Sequence, residues 1–484
     1  MISVKKQLFS EYTNFPSYDE MFSEMKEVRM NYQNVYNYLI DIGVEGLQER
    51  HQSMQTQMVK QGITFTLYHG QDSEPLERTI PFDLIPRIIT SDEWSMIERG
   101  LKQRVSALNM FLYDIYHEQN ILKDRIVPRK MVVTNRYFRP EMMNVTIPKN
   151  IYTFLSGIDI IRDQTGDFYV LEDNLRTPSG LSYLYKNREL MTHCFPELFF
   201  DNQVRDMQHG LNDLLSNLRH MTHTNKDDPV VVLLTPGRYN SAYFEHIFLA
   251  KEMGIDLVEG KDLLIRDHKV YMKSIHGLKQ VDVIYRRLDD DYLDPLAFRP
   301  DSMLGVAGLM NAYRAGNITI ANAPGTGVAD DKAIYAYVPD MIRYYLNEES
   351  ILKNVPTYLL SREEEREYVL AHLNELVVKE TSLSGGYGML IGPKATEQEI
   401  KEFARKIRET PEQYIAQPTI QLSTAPSLIG DSIVPRHIDL RAFVTMGDDI
   451  RVIPGGLTRT ALKEGSLVVN SSQGGGSKDT WILH

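Results

Sequence analysis

Along the 484-residue chain, stretches of helical and of strand periodicity follow one another in an order that predicts layers. Residues 18–60 scatter apolar positions among Met, Glu and Gln, the spacing of one or two amphipathic surface helices. A longer helix is predicted from Ser91, a good N-cap, through EWSMIERGLKQRVSALNMFLYDIY. Between Tyr152 and Asn174 the pattern changes to two strands around a turn. From Pro229 the order is strand (VVVLLT), helix (SAYFEHIFLAKEMG), strand (IDLVEG), a βαβ-type unit expected in an open sheet with helices on its faces. VDVIYRR at 281–287 and ITIAN at 318–322 read as further strands, and Asp330 to Leu346 reads as a helix. The last third runs strand (ELVVKE), Gly-rich turn, helix (TEQEIKEFARKI), strand (QYIAQPTIQ), then two long strands (RHIDLRAFVTMG and DIRVIPGGLTRT). This order predicts an α/β protein with α+β elements.

Composition narrows the class. The length suits two to four domains at roughly 100–200 residues each. Acidic residues number 65 against 53 basic, a net charge of −12 without a basic stripe, which is a poor electrostatic fit to nucleic acid or anionic membrane. The single cysteine, Cys194, excludes an intramolecular disulfide framework and a Cys-rich zinc site and suits a reducing cytosol. No apolar run approaches the ~20 residues of a membrane helix, and the N-terminus lacks the apolar region of a secretory signal. The expectation is a soluble cytoplasmic protein with no nucleic-acid or membrane partner. Nothing in the sequence reads on oligomeric state.

Chemistry concentrates first in IDIIRDQTGDFYVLEDN. A hairpin centred between Thr165 and Gly166 sets Asp159 opposite Glu172, with Asn174 on the same face by the strand period of two. Like charges directly opposite destabilise a sheet, so something must offset them. Asp159, Glu172 and Asn174 are the hard oxygen ligands that Mg²⁺ accepts. The other reading is a bulge that breaks this register and leaves both acids solvated. Asp173 points to the opposite face and reads as structural. In ELVVKETSLSGGYGML, Lys379 ends an apolar strand, and Gly385, Gly386 and Gly388 follow. A lysine fixed on a strand places a point charge on a phosphate, and side-chain-free residues let backbone N–H groups approach. A plain glycine turn is the alternative; a Walker A loop is excluded, because no Gly-Lys-Ser/Thr opens a helix. Asp439 and Arg441 share one face of a strand, with Arg459 on its neighbour. These are either ordinary ion pairs or a clamp on phosphoryl or carboxylate oxygens. Weaker candidates surround this set. Asn240 or Ser241 could cap a helix whose N-terminus takes an anionic group. Arg176, Thr177 and Ser179 directly follow the hairpin and could contact a substrate, Arg287 is a further weak substrate candidate, and at least one of Arg286 and Arg287 should pair with the acids of LDDDYLDP.

Several long motifs, in order LEDNLRTPSGLSY, RRLDDDYLDP, NAPGTGVADDKAIYAYVPD, VVKETSLSGGYGM, PRHIDLRAFV and SSQGGGSKDTWIL, resemble the ATP-grasp superfamily over roughly residues 80–484. The metal hairpin stands about 200 residues before Lys379 instead of after it, and this swap resembles the circularly permuted ATP-grasp type 2 family. Surface proximity of chain termini makes such a permutation physically reasonable. The resemblance implies a permuted ATP-grasp fold: an N-terminal mainly helical appendage (1–80), a first core part with the metal hairpin (81–225), a mixed-sheet βαβ-type pre-ATP-grasp or substrate subdomain (226–330) and a nucleotide-binding part (331–484). It implies that Lys379 binds ATP phosphates under the SGGYGM loop, that QPTIQL from Gln417 is the hinge beside adenine, and that Lys332 reaches a phosphate. Asp439 would join the nucleotide site. Asp159, Glu172 and Asn174 would hold Mg²⁺, and Arg441 and Arg459 would stabilise the transferred phosphoryl group.

The implied activity is an ATP-dependent carboxylate–amine ligase working through an acyl-phosphate. Its partners would be a small-molecule or peptide carboxylate and an amine; similarity to glutathionylspermidine synthase hints at a peptide-like acid. A phosphotransferase or ATPase with the same grip, or a catalytically inactive nucleotide-binding assembly protein, are the alternatives.

Overall fold

The computed structural model describes residues 8–9, 12–13, 16–67, 76–222, 226–382, 388–470 and 474–484. Its centre is a mixed sheet whose order, from one edge, is Lys353–Asn354, Phe168–Asn174, Leu155–Arg162, Ser432–Met446, Ile450–Thr460, Gly476–Ile482 and Phe82–Ile89, with Thr424–Ile429 added beside Ser432–Met446. The interior pairs are antiparallel and the two edge strands parallel. Strands some 280 residues apart in sequence thus become neighbours. All eight residues of Leu155–Arg162 are buried, because both faces of this strand are covered. One cover is the helix Ser91–Tyr116, whose Trp94, Ile97, Leu101, Val105, Leu108 and Leu112 recur at helical spacing and are buried. It begins one residue earlier than predicted: Thr90 is the N-cap, and its side chain and that of Glu93 form a reciprocal capping box.

Against the main sheet lies a smaller antiparallel sheet in the order Tyr358–Leu359, Tyr414–Pro418, Leu376–Glu380, Met389–Ile391. Alternation divides its residues. Val378, Leu390 and Ala416 pack outward in a core with Val369 and Ile407 from the helices Glu363–Ala371 and Glu397–Glu409. Val377, Lys379 and Gln417 therefore face the other way, into a cavity shared with the main sheet.

The βαβ unit forms as read: Val231–Leu234, the helix Tyr243–Met253 and Asp256–Val258, with the two strands parallel and Val283–Arg286 and Thr319–Ala321 extending the sheet in parallel. A three-stranded antiparallel sheet, Leu263–Arg266, Lys269–Ser274 and Gly277–Val281, is attached, so both strand directions occur in this region but in separate sheets. Two predicted helices are shorter than expected. The segment from Asp330 divides into Lys332–Tyr335 and Val338–Leu346, because Pro339 can occupy only a first turn. Residues 18–60 are helical over a 3₁₀ turn at Met30–Tyr32 and over Gln33–Lys60, where Gly43 at φ +64° breaks the helix in two. Before that, the Asp19 carboxylate accepts the N–H groups of Met21 and Phe22, which holds a turn. Met21, Tyr32, Val35, Leu47 and Met54 are buried in the same core as the main sheet. Among the described residues no helix is long and apolar enough to cross a membrane.

Candidate active site

The sheet register assembles the first group. Asp159 lies opposite Glu172 on one side and opposite Arg441 on the other, and in the next row Asp439 lies opposite Arg459. The Asp159–Glu172 pairing holds even though the hairpin carries a bulge. From Arg162↔Phe168 to Ile160↔Val170 the partners sum to 330. Leu171 is then left over, and Asp159↔Glu172 resumes at 331. The extra residue places Leu171 and Glu172, adjacent in sequence, on the wall of one cavity. Asp173 turns to the far face, where Arg104 holds it through two hydrogen bonds of 2.7 and 2.6 Å in a buried pair.

The repulsion between the two acids is relieved from the side. Arg441 donates to both oxygens of Asp159 (2.6 and 2.8 Å), and Nη2 of Arg459 adds 2.9 Å to Oδ2. Burial alone would raise the Asp159 pKa, but the two guanidinium groups outweigh it and hold the carboxyl at about 2. Arg459 also grips Asp439 through Nε and Nη2. Burial pushes Asp439 up from the ordinary range, against the pull of Arg459. Nη1 of Arg459 has no hydrogen-bond partner among the described residues, and Arg459 lines two cavities at once.

The first cavity, of about 990 Å³, lies between the two sheets. One part is apolar, walled by Ile161, Leu171, Val355, Val377, Ile391, Pro418, Ile420, Leu422, Leu467 and Val469. The other end holds Lys379, Lys332, Glu172, Asp159, Asp439 and Arg459. Lys379 donates to Oε1 of Gln417 at 2.7 Å, and Nε2 of Gln417 donates to Thr357. Gln417 therefore orients the lysine, and its followers Pro418, Ile420 and Leu422 supply part of the apolar wall. Lys332 sits 3.4 Å from Glu172. Burial lowers the Lys379 pKa to about 8; Glu172 and Asp159 work against that shift and Lys332 adds to it. Gly388 takes φ +66° at the end of the glycine segment, while Gly385 and Gly386 lie outside the described residues.

The second cavity, about 1090 Å³, shares Asp159, Glu172, Arg459 and Asn470 with the first and is more polar. Asn174, Arg176, Ser179, Arg441, Asp289 and Asp330 line it, with Phe65, Ile80, Tyr183 and Leu457 as its apolar side. The amide nitrogen of Asn174 is buried without a hydrogen-bond partner among the described residues. Arg176 donates to Asp330 at 2.6 Å and approaches Asp289 at 3.3 Å. Gly327 makes room for it: a Cβ there would come within 2.6 Å of the Arg176 side chain. The carbonyl of Ser179 accepts from Arg441 at 3.1 Å.

Other candidates stand elsewhere. Arg287 is buried and paired with Glu245, and its second arm holds the carbonyl of Pro178 at 2.7 Å. It acts on the loop beside the cavity, not in it. Glu245 in turn accepts the N–H groups of Gly180 and Ser182, which occupies the N-terminus of the helix Leu181–Cys194. Arg286 pairs with Asp290. Asn240 and Ser241 line neither cavity. The expected side-chain cap is also corrected: the helix begins at Tyr243 with Ala242 as N-cap, and Asn240 accepts the Ala242 N–H within a turn. Asp330 and Thr357 were not singled out from the sequence; only the doubled acid of VADDK signalled the former. No group of three or more His, Cys, Asp or Glu side chains placed to hold a metal occurs among the described residues.

An apolar slot ending in half-buried lysines, joined through an acid–arginine row to a polar cleft, is the division of space that a nucleotide-using enzyme requires. The match to known proteins agrees: residues 86–461 fit the family described as circularly permuted ATP-grasp type 2, and the chain belongs to that family. It is therefore an ATP-binding protein by family. A protein of Synechocystis without an assigned function is 52% identical over 96% of this chain and 97% of its own length. One from Mycobacterium tuberculosis, also without one, is 50% identical over 96% of this chain and 84% of its own. A Frankia alni protein carrying the provisional name glutamate–cysteine ligase 2-3 is 41% identical over 96% of this chain, which spans 54% of that protein. Among solved structures, a glutathione synthetase-like effector of Globodera pallida superposes with a TM-score of 0.59 at 11% identity, covering 90% of this chain and 96% of the other, a likeness of fold.

Proposed function

We propose that the chain is an ATP-dependent ligase that joins a carboxylate to an amine through an acyl-phosphate. The observation that carries this reading is the shared wall of the two cavities. Asp159, Glu172, Arg459 and Asn470 line both, so a triphosphate whose base fills the apolar slot would present its terminal phosphate to a substrate in the polar cleft. Lys379 and Lys332 would neutralise phosphate oxygens, and Arg441 and Arg459 would stabilise the phosphoryl group in flight; catalysis would rest on positioning and charge, as in phosphoryl transfer generally. A substrate carboxylate oxygen would attack the terminal phosphorus, and the acyl-phosphate carbon would then take the amine with loss of phosphate. The family reading and the ligase name of a relative support this class. The glutathionylspermidine synthase-like substrate pair, a peptide-like acid and an amine, is part of the same proposal.

The donor set fits a magnesium ion. Glu172 is 23% exposed with Lys332 at 3.4 Å, and Asn174, whose amide carries an oxygen of the kind Mg²⁺ takes, lines the same cleft. Asp159 accepts three arginine hydrogen bonds, which leaves about one of its roughly four lone-pair positions. Glu172 and Asn174 would be the principal ligands, with Asp159 contributing one oxygen. A bound Mg²⁺ would supply charge neutralisation of the triphosphate. The test is a phosphate-release screen with MgATP over carboxylates crossed with amines, with Glu172→Gln as control. Amide product in the wild type and none in the variant supports the ligase. Phosphate release with a stable phosphorylated product would mark a phosphotransferase, and full turnover by Glu172→Gln would remove the site.

A further inference from the structure

We infer that Asp330 is the group that takes the proton from the attacking amine; this rests on the ligase reading above. Four acids line the polar cleft: Asp159, Glu172, Asp289 and Asp330. An amine enters as an ammonium ion and must lose one proton before its nitrogen can attack, so one of these four must be free to accept it. Asp159 is disqualified, since three hydrogen bonds from two arginines and its place in the proposed cation set take up its lone pairs, and the arginines hold its proton affinity low. Glu172 lies at the phosphate end beside Lys332 and in the proposed cation set. Asp289 stands half in solvent, with 51% of its side chain exposed, and its contact to Arg176 is a long 3.3 Å.

Asp330 differs on each count. Its side chain is 13% exposed and opens on the cleft. It is fixed from two directions, by the Leu175 N–H at 2.5 Å to Oδ1 and by Nε of Arg176 at 2.6 Å to Oδ2. Each oxygen keeps a lone pair for a third group. The charged groups that face it are Arg176, Glu172 and, across Arg176, Asp289; its chain neighbour Asp331 turns away to cap the helix Lys332–Tyr335. Burial, with Glu172 helping, raises its pKa to about 6 against the opposing Arg176. A carboxylate in that range is ionised at neutral pH yet holds a proton better than an exposed one, the property a general base needs. In the step, the ammonium gives one proton to Asp330. The nitrogen lone pair forms the C–N bond at the acyl-phosphate carbon, the C–O bond to phosphate breaks with its electron pair leaving on phosphate, and the second N–H proton departs with phosphate.

Hydroxylamine separates this role from the first half-reaction, because it is uncharged at neutral pH and attacks an acyl-phosphate without a base. Wild type and Asp330→Asn would each be given MgATP and the acids of the screen, with either the productive amine or hydroxylamine. Asp330→Asn is expected to form hydroxamate within about threefold of wild type while amide formation falls about 10²–10³-fold. The acid limb of the wild-type amide rate should vanish in that variant. Retained hydroxamate also shows that Asp330→Asn is folded. Amide formation at the wild-type rate with an unchanged pH profile would overturn the inference, as would equal loss of both products. If the wild type forms no hydroxamate from any acid, the ligase reading fails first and this assignment falls with it.

Discussion

Lys379 offers the sharpest test of the nucleotide site, because its burial has a measurable consequence. Its pKa falls from 10.5 to about 8 inside the cavity, which corresponds to at most about 3 kcal/mol of penalty on the charged form at neutral pH. The sign follows from the direction. A base held low in the folded state contributes stability that is fully present above 10.5 and is lost as pH falls through 8. A triphosphate reverses the balance, since it binds the charged form. With the lysine about nine-tenths charged at pH 7 and about one-tenth at pH 9, ATP affinity should drop roughly tenfold over that interval. Proton uptake on binding near pH 8 should appear as a dependence of the calorimetric enthalpy on the buffer. Lys379→Met removes the buried charge and the Gln417 hydrogen bond together. Against a hydrogen bond worth about 1 kcal/mol, the variant should be more stable than wild type at pH 7, by about 1–2 kcal/mol in urea, while losing ATP binding. Isothermal titration from pH 7 to 9 and paired denaturation curves check both halves. A pH-independent affinity, or a Lys379→Met protein less stable than wild type at pH 7, would refute the reasoning.

Asp159→Asn should cost about 3–5 kcal/mol, because it leaves Arg441 and Arg459 without their shared counter-charge. The same carboxyl contributes stability that is present above the ordinary carboxylate range and lost as pH falls toward 2, so acid denaturation of the variant, followed by circular dichroism, should be less steep. Arg104→Met breaks the buried pair on the opposite face of the hairpin; it should destabilise by about 3–5 kcal/mol yet leave the ATP dissociation constant of the folded protein within about twofold. A change in nucleotide affinity larger than the change from any cavity-lining apolar variant would show that Arg104 is not remote.

The legibility of this chain varied with the range of the interaction. Asp159 opposite Glu172 could be counted from sequence, since one hairpin confines both residues and strand period does the rest. Even there the bulge at Leu171 was hidden, because a one-residue insertion in a ladder leaves no mark in composition. Lys379 and the glycines after it stood out as chemistry, and the Ser91 helix was placed to within a residue by its capping signal. Asn240 was misread as a helix cap, because Asx turns and N-caps use the same residues at nearly the same spacing. Asp330 passed unnoticed because nothing local distinguishes it from Asp331; only the arrival of Arg176, 154 positions away, and the closing of the cleft do so.

Local pattern by itself determined the elements, the acidic and cysteine-poor character, and the motifs whose order resembles a permuted ATP-grasp chain; these depend on neighbours within a few residues and on period. What tertiary structure alone decided is the environment of each charge. Asp159 and Asp330 are the same residue type, yet one is pinned as an anion by two arginines from strands some 280 residues away, and the other is raised by the walls that enclose it. Desolvation and Coulomb forces act through space, so proton affinity belongs to the folded cleft and has no representation in the order of residues.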